Sequence, residues 1–421
     1  MNIEALCTGD ELLTGLTSDT NSAFLAGKLV GELGEVLQRV TVVGDVREHL
    51  VEALRAISAR ADAAVVCGGL GPTADDLTAE CAALAAQVEL VEDAPTLSRI
   101  RERFALRGLE LTPNNARQAR VPKGAEVVEN PVGSAPMFVQ RLGRCVFFYL
   151  PGVPSEFRHL VEKQVMPRLV AMAGAYEGRV FRAYGLLKTV GLAESHLETK
   201  VAPLVAAYSR VRFGFRTQAP ENHLTLLAQG ASQEEADSAL TEAAQACRAL
   251  LSPWLFGEGE ETLAGVIGRL LRERHQTLAV AESCTGGLLA ALITAEAGAS
   301  GCFVGGWVAY GEAAKARWVG VDEATLRAHG VVSEPVALAL AISARERAQS
   351  TFALSVTGYA GPSGGTEADP VGTVYLGLAG PDRALVKRRV YMGDRERVRS
   401  FAAYGALRLL WQELANKAGP R

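Results

Sequence analysis

Two small nucleophiles stand side by side in Ala281-Glu282-Ser283-Cys284-Thr285-Gly286-Gly287. A Ser hydroxyl or a Cys thiol can attack a carbonyl carbon once a base removes its proton. The apolar run at residues 277–281 predicts a buried strand before this stretch, and the Ala/Leu-rich residues 288–296 predict a helix after it. The nucleophiles then fall at a strand-to-helix turn. The first N–H groups of that helix lack intrahelical partners and could hold an oxyanion. Thr285, Gly286 and Gly287 complete the candidate pocket, the glycines allowing a ligand close to the backbone. The same residues also read as a tight turn whose Ser caps a helix.

A base is needed, and none of the six His is placed by spacing to serve, nor is there an H-E-x-x-H. Lys315 follows a strand predicted at 303–310 and lies on the first turns of a helix predicted at 312–319. A lysine desolvated into its neutral form could take the Ser proton. Tyr310 could relay that proton or assist the leaving group. A surface Lys and a rim Tyr are the plainer reading of the same pair. The loop at 358–365, with Gly358, Gly361, Gly364 and Gly365, could cradle a phosphate or fold over a substrate, or could be a surface loop.

A second constellation lies near the start. Asp10 and Glu11 are adjacent carboxylates after a strand predicted at 3–7. A strand at 62–67 runs into Gly68, Gly69, Gly71, Pro72, Thr73, Asp75, Asp76 and Thr78. This is not G-x-G-x-x-G, so the dinucleotide fingerprint is absent. Its glycines still leave N–H groups to meet phosphate at a helix start. Asp10, Glu11, Asp75 and Asp76 are hard oxygen ligands suited to Mg²⁺ bridging phosphates. Alternatively, Asp75 and Asp76 only stabilise a helix N-terminus.

Alternating strands and helices must position these groups. Over residues 1–175 they imply a parallel sheet with helices on both faces, ligands binding beyond the carboxyl ends of the strands. Residues 176–256 read as a small α+β module, with strands at 179–187, 211–215 and 223–228 and an amphipathic helix at 232–250. It has no G-x-x-G loop and is not basic, which argues for a spacer or a homodimerisation module rather than a nucleic-acid binder. After a polar linker at 257–261, residues 257–421 form a second α/β domain. The expected fold class is therefore α/β, with two three-layer α/β domains joined by the small module.

Composition sets the bounds. The chain has 421 residues, 48% hydrophobic and 21% charged, with a net charge of −4. Such a chain can bury several cores and gives no electrostatic support for nucleic-acid or membrane binding. Seven widely spaced Cys without C-x-x-C argue against a disulfide framework or a zinc site. The first residues lack the basic start and apolar run of a secretory signal. A reducing cytoplasm is the expected location.

The quoted residues carry a resemblance. Residues 9–15, Asp19-Thr20-Asn21, 68–78 and 150–156 together resemble the N-terminal domain of the CinA family, which is itself similar to molybdopterin-binding domains. Glu282-Ser283-Cys284-Thr285-Gly286-Gly287, Tyr310 with Lys315, Val332-Ser333-Glu334-Pro335, Gly361-Pro362-Ser363-Gly364-Gly365 and Pro370-Val371-Gly372-Thr373-Val374 resemble its C-terminal domain. The resemblance implies a KH-type fold for the middle module. For the last domain it implies deamidation of nicotinamide mononucleotide, with Ser283 as nucleophile, Lys315 as base, Tyr310 as assisting hydroxyl, and no metal. For the first it implies a metal-dependent ADP-ribose pyrophosphatase. Two other readings remain: a molybdenum-cofactor-type ligand-binding protein, and a non-catalytic competence or recombination partner. Three departures from the family pattern fall at Met137, Glu312 and Tyr359.

Overall fold

The computed structural model describes residues 1–174 and 180–416. The strand start expected at residue 179 and the domain boundary expected at 175/176 lie outside the described residues. Packing divides the chain into two compact units, Met1–Tyr184 with Ala228–Ser238, and Gly185–Leu227 with Ala239–Arg421.

In the first unit, β1 (Ile3–Thr8), β2 (Leu37–Val43), β3 (Ala63–Cys67), β4 (Glu126–Val128), β5 (Met137–Leu142) and β6 (Cys145–Leu150) form one sheet in the order β2-β1-β3-β6-β5-β4. The first four of that order run parallel. β5 and β4 return antiparallel at one edge. Every residue of β1 and β3 is buried, as a parallel strand covered on both faces requires. Alternate residues serve opposite layers. Ile3, Ala5 and Val65 pack with Leu25 of α1 (Asn21–Lys28) and with Phe157 and Leu160. Leu6, Ala64 and Val66 pack with Leu50, Leu54 and Ile57 of α2 (Arg47–Arg60) and with Cys81 of α3 (Thr78–Ala86). The antiparallel edge departs from the parallel expectation. Gly143, at φ 58°, makes the tight turn that pairs β5 with β6.

Next come β7 (Phe181–Val190), α4 (Glu194–Ala207), β8 (Val211–Gln218), β9 (Glu221–Gly230), α5 (Gln233–Leu251) and β10 (Leu255–Glu258), with sheet order β8-β9-β7-β10. The expected linker at 257–261 is corrected here. Gly257 and Glu258 belong to β10 and pair with Lys188 and Leu187, because buried Phe256 draws this segment into the sheet.

The second α/β sheet, in the second unit, contains β11 (Leu278–Glu282), β12 (Phe303–Val308), β13 (Phe352–Gly358), β14 (Thr373–Ala379) and β15 (Ala384–Val390), ordered β12-β11-β13-β14-β15. β12, β11 and β13 are parallel, and β14 and β15 close one edge antiparallel. Leu278 and Val280 face α6 (Leu263–Glu273), α7 (Leu288–Thr294) and, through Leu407 and Leu410, a long final helix. Ala279 and Ala281 face Leu340 and Ala344 of α8 (Glu334–Ala348). The final helix, α9, spans Arg395–Asn416. Each α/β sheet is thus the middle of three layers. No helix among the described residues is long and apolar enough to cross a membrane.

Phe148 is completely buried in the first core, whereas Val304 on β12 is largely exposed. Phe148→Ala should cost about 3–5 kcal/mol, read as a lowered urea midpoint. Val304→Thr should leave the midpoint within error.

Candidate functional site

Ser283 follows β11 directly, and its N–H donates to the Val356 carbonyl at 2.9 Å, one more rung toward β13. The chain then turns sharply. The Gly286 N–H donates to the Ser283 carbonyl at 3.0 Å, and Gly286 and Gly287 adopt φ of 60° and 94°. Residues with a Cβ are strained there.

Lys315 lies opposite and is only 1% exposed. Its Nζ sits 3.0 Å from Ser283 Oγ, 3.1 Å from the Ala309 carbonyl and 3.5 Å from the Tyr310 carbonyl. Ala309 is itself fixed, its N–H donating to the Glu282 carbonyl at 2.7 Å. Lys315 opens a π-helical turn, Lys315–Val319, after the short segment Glu312–Ala314. Burial pulls the Lys315 pKa below the ordinary lysine value, with Cys284 and Glu312 acting the other way. In the neutral amine, two carbonyls take the two N–H bonds. That leaves the lone pair for the Ser283 hydroxyl.

Cys284 is separated from Ser283 by its environment. Burial pushes its thiol up to about 12, so it stays protonated near neutral pH. Of the two candidate nucleophiles, Ser283 holds the hydrogen bond to Lys315.

The oxyanion site differs from expectation. The buried Glu282 carboxylate already accepts the N–H groups of Gly287, Leu289 and Ala290 at 3.0, 3.0 and 2.8 Å. The start of α7 is therefore committed to Glu282. Among the described residues, the N–H groups of Cys284 and Thr285 donate to no carbonyl or carboxylate. They are the donors left beside Ser283. The Thr285 hydroxyl is buried without a partner, while its carbonyl accepts from Arg399 Nη2 at 2.8 Å.

Tyr310 is 57% exposed. Its hydroxyl accepts from Arg395 Nη2 at 2.5 Å, and Arg395 Nη1 donates to the Gly361 carbonyl at 2.8 Å. Only its carbonyl meets Lys315. Arg395 and Arg399 were missed as site residues. Their i, i+4 spacing at the start of a long helix is the signal that places both on one face. Gly361, Gly364 and Gly365 have φ of 85°, 92° and 84°, so they shape the loop's own turns. A Cβ on Gly358 would meet the Thr373 carbonyl at 2.6 Å, which makes that glycine a packing residue of β13 against β14. Glu312 is exposed, and the Tyr359 ring lies beside Gly364.

In the first unit, the loops after β1, β3 and β6 line a cleft of about 480 Å³. Gly68, Gly69, Gly71, Pro72, Glu11, Asp75 and Asp76 line it as expected, joined by Asp19, Asn21, Asp45, Gln118, Ser134 and Glu156. Thr73, Thr78 and Asp10 are corrected. Thr78 is fully buried, its hydroxyl donating to the Gly68 carbonyl at 2.8 Å. Thr73 donates through N–H and hydroxyl to Asp76 Oδ2 at 2.8 and 2.6 Å. Both threonines thereby fasten the loop. Asp10 Oδ1 accepts the Asp45 N–H at 3.2 Å and stands outside the lining. Asp19, burial notwithstanding, is held below the usual carboxylate range by hydrogen bonds from Ser22, Cys7 and Asn21. Met137 is buried at the start of β5 and does not line the cleft.

The four expected metal ligands are thus not gathered as one set. Among the described residues no group of three or more His, Cys, Asp or Glu is placed for a metal ion. The cleft therefore holds no all-protein metal centre among the described residues, and a divalent ion there would need ligand phosphates to complete its shell.

Three family models match the chain: the probable molybdopterin binding domain at residues 4–171, the damage-inducible protein CinA KH domain at 186–257 and the CinA C-terminal domain at 260–414. A CinA-like protein of Myxococcus xanthus (strain DK1622) is 51% identical over 415 residues, covering 98% of each chain. One from Anaeromyxobacter sp. (strain Fw109-5) is 45% identical over 412 residues, 97% of this chain and 98% of that one. A competence-damaged protein (CinA) superfamily protein from Klebsiella pneumoniae 700603, a solved structure, shares 33% identity over 37% of this chain and 96% of its own, with a TM-score of 0.36.

Lys315 generates a stability prediction. Its folded pKa lies below its unfolded value, so the ammonium is disfavoured in the fold. That penalty is fully present below the folded pKa and gone above the unfolded value of about 10.4. Lys315→Met should therefore raise Tm at pH 7, with the gain shrinking as pH climbs toward 10.4. A lower Tm at pH 7 would contradict the burial argument.

Proposed function

The chain belongs to the CinA family, and from that premise we propose that its C-terminal site hydrolyses nicotinamide mononucleotide to nicotinic acid mononucleotide and ammonia. The observation that carries this reading is the 3.0 Å contact between a buried lysine and Ser283 Oγ. Neutral Lys315 takes the serine proton as Oγ attacks the carboxamide carbon. The N–H groups of Cys284 and Thr285 receive the oxyanion. The Lys315 ammonium returns its proton to the departing nitrogen, and ammonia leaves. Water then attacks the ester, Lys315 again acting as base, and nicotinic acid mononucleotide is released. Arg395 and Arg399 suit the substrate's phosphate, since guanidinium binds phosphate oxygens in pairs. Tyr310 is the assisting hydroxyl on the rim. All seven cysteines are free thiols, which supports a cytoplasmic setting.

Ser283→Ala should lower ammonia release from nicotinamide mononucleotide by about 10³-fold or more, and full activity would sink the nucleophile assignment. The rate should rise with pH through the Lys315 pKa. Glu312→Gln removes a charge that favours the ammonium, so the midpoint of that rise should move to lower pH. A shift upward would refute the assigned base.

We propose further that the first cleft takes ADP-ribose, its diphosphate on the N–H groups of Gly69, Leu70 and Gly71. The supporting observation is the glycine loop at the edge of a polar cleft. Pyrophosphate cleavage there would call on a divalent ion. ADP-ribose turnover measured with and without EDTA, in wild type and in the Asp75→Ala, Asp76→Ala protein, tests this. EDTA and the double substitution should each abolish turnover. Turnover unaffected by either would end the proposal.

A further inference from the structure

The loop between β13 and β14 carries the Gly361 carbonyl that holds Arg395. One carboxylate ties that loop to the sheet. Asp369 accepts from the Tyr375 hydroxyl on both of its oxygens, each at 3.0 Å, and Arg388 Nε donates to its Oδ1 at 2.8 Å. Arg388 Nη2 also donates to the Ala368 carbonyl at 2.8 Å. Strand register makes this junction. Tyr375 of β14 and Arg388 of β15 are direct partners in the antiparallel ladder, so both donors rise from one face at one point. Within the loop, the Asp369 N–H donates to Thr366 Oγ1 at 2.9 Å, and the Thr366 N–H donates to the Asp369 carbonyl at 2.8 Å.

The tie reaches the C-terminal site through Arg395. Its Nη1 donates to the Gly361 carbonyl at 2.8 Å and its Nη2 to the Tyr310 hydroxyl at 2.5 Å. A guanidinium has five N–H groups, so donors remain on Arg395 for an anion. Where they point depends on where Gly361 sits. If the loop were loose, a ligand would have to order both loop and arginine, at a cost in affinity. Carboxylate bonds to a guanidinium are charge-assisted, and Asp369 adds to one such bond the hydroxyl of the buried Tyr375.

We propose that Asp369 is a positioning residue for phosphate recognition: by pinning its loop to Tyr375 and Arg388 it fixes Gly361 and presents Arg395 to the phosphate of the nucleotide. The site then favours a phosphorylated pyridine nucleoside over the free nucleoside. This rests on the amidase reading and adds to it how the phosphate subsite is held ready. The antiparallel edge of the sheet supplies the anchor.

Steady-state ammonia release by the full chain tests this with two substrates, nicotinamide mononucleotide and nicotinamide riboside, which has the same carboxamide and no phosphate. Asp369→Ala should raise KM for the nucleotide by about tenfold, with kcat moving less than KM, and should leave the riboside unchanged. Tyr375→Phe removes a single hydroxyl and should move KM for the nucleotide the same way, by about threefold. It carries the test should Asp369→Ala not fold. Arg395→Ala completes a double-mutant cycle. Because Asp369 acts through Arg395, either substitution added to Arg395→Ala should raise KM no further. Effects that multiply in the double variants, an equal loss on both substrates, or an unchanged KM for the nucleotide overturn the inference and leave the amidase reading standing. No ammonia from nicotinamide mononucleotide with wild type overturns the amidase reading, and the inference with it.

Discussion

A lysine buried without a carboxylate is the constraint on which the C-terminal site depends. Lys315 is all but excluded from water, and its amine meets one hydroxyl and two carbonyls. Such an environment disfavours the ammonium, and nothing charged and opposite compensates within hydrogen-bond reach. The amine is held against the Ser283 hydroxyl at 3.0 Å. Everything nearby serves that arrangement. The Ala309 carbonyl is fixed by a bond to β11, and the wide turn at Lys315–Val319 brings the amine inward.

Glu282 solves a second problem. A strand-to-helix turn leaves helix-start N–H groups unsatisfied. Here one buried carboxylate takes three of them. The turn is held rigid, and among the described residues the N–H groups of Cys284 and Thr285, next after Ser283, donate to no carbonyl or carboxylate. The first cleft uses the same sheet-edge architecture differently. Its threonines and Asp76 fasten the loop from within.

Much of this was legible in the sequence. Largely apolar runs at 3–7, 62–67 and 277–281 correspond to strands buried on both faces, and polar loops after them to the site-bearing edge. The nearness of Ser283 and Lys315 was one of two readings that spacing left open, a surface Lys being the plainer, and only the packed structure shows the 3.0 Å contact. What the residues did not reveal depended on distance or on local competition. Arg395 lies 85 residues from Tyr310, and only the packed final helix brings them together. Thr73, Thr78 and Asp10 looked like ligand groups but bond to nearby backbone or to a neighbouring side chain, as short polar side chains in turns often do. Glu282 had no role in the sequence reading, because its role exists only once the turn has closed. The Gly257–Glu258 strand was hidden by a polar composition that Phe256 overrides.

The central claim, that Lys315 is held ready as a neutral base, has a direct readout. In protein carrying ¹⁵N-labelled lysine, the Lys315 Nζ resonance can be identified by its loss in Lys315→Met and followed through a pH titration. The account predicts an ammonium-to-amine transition clearly below the ordinary lysine value of about 10.4. A Lys315 that titrates at or above that value would contradict it.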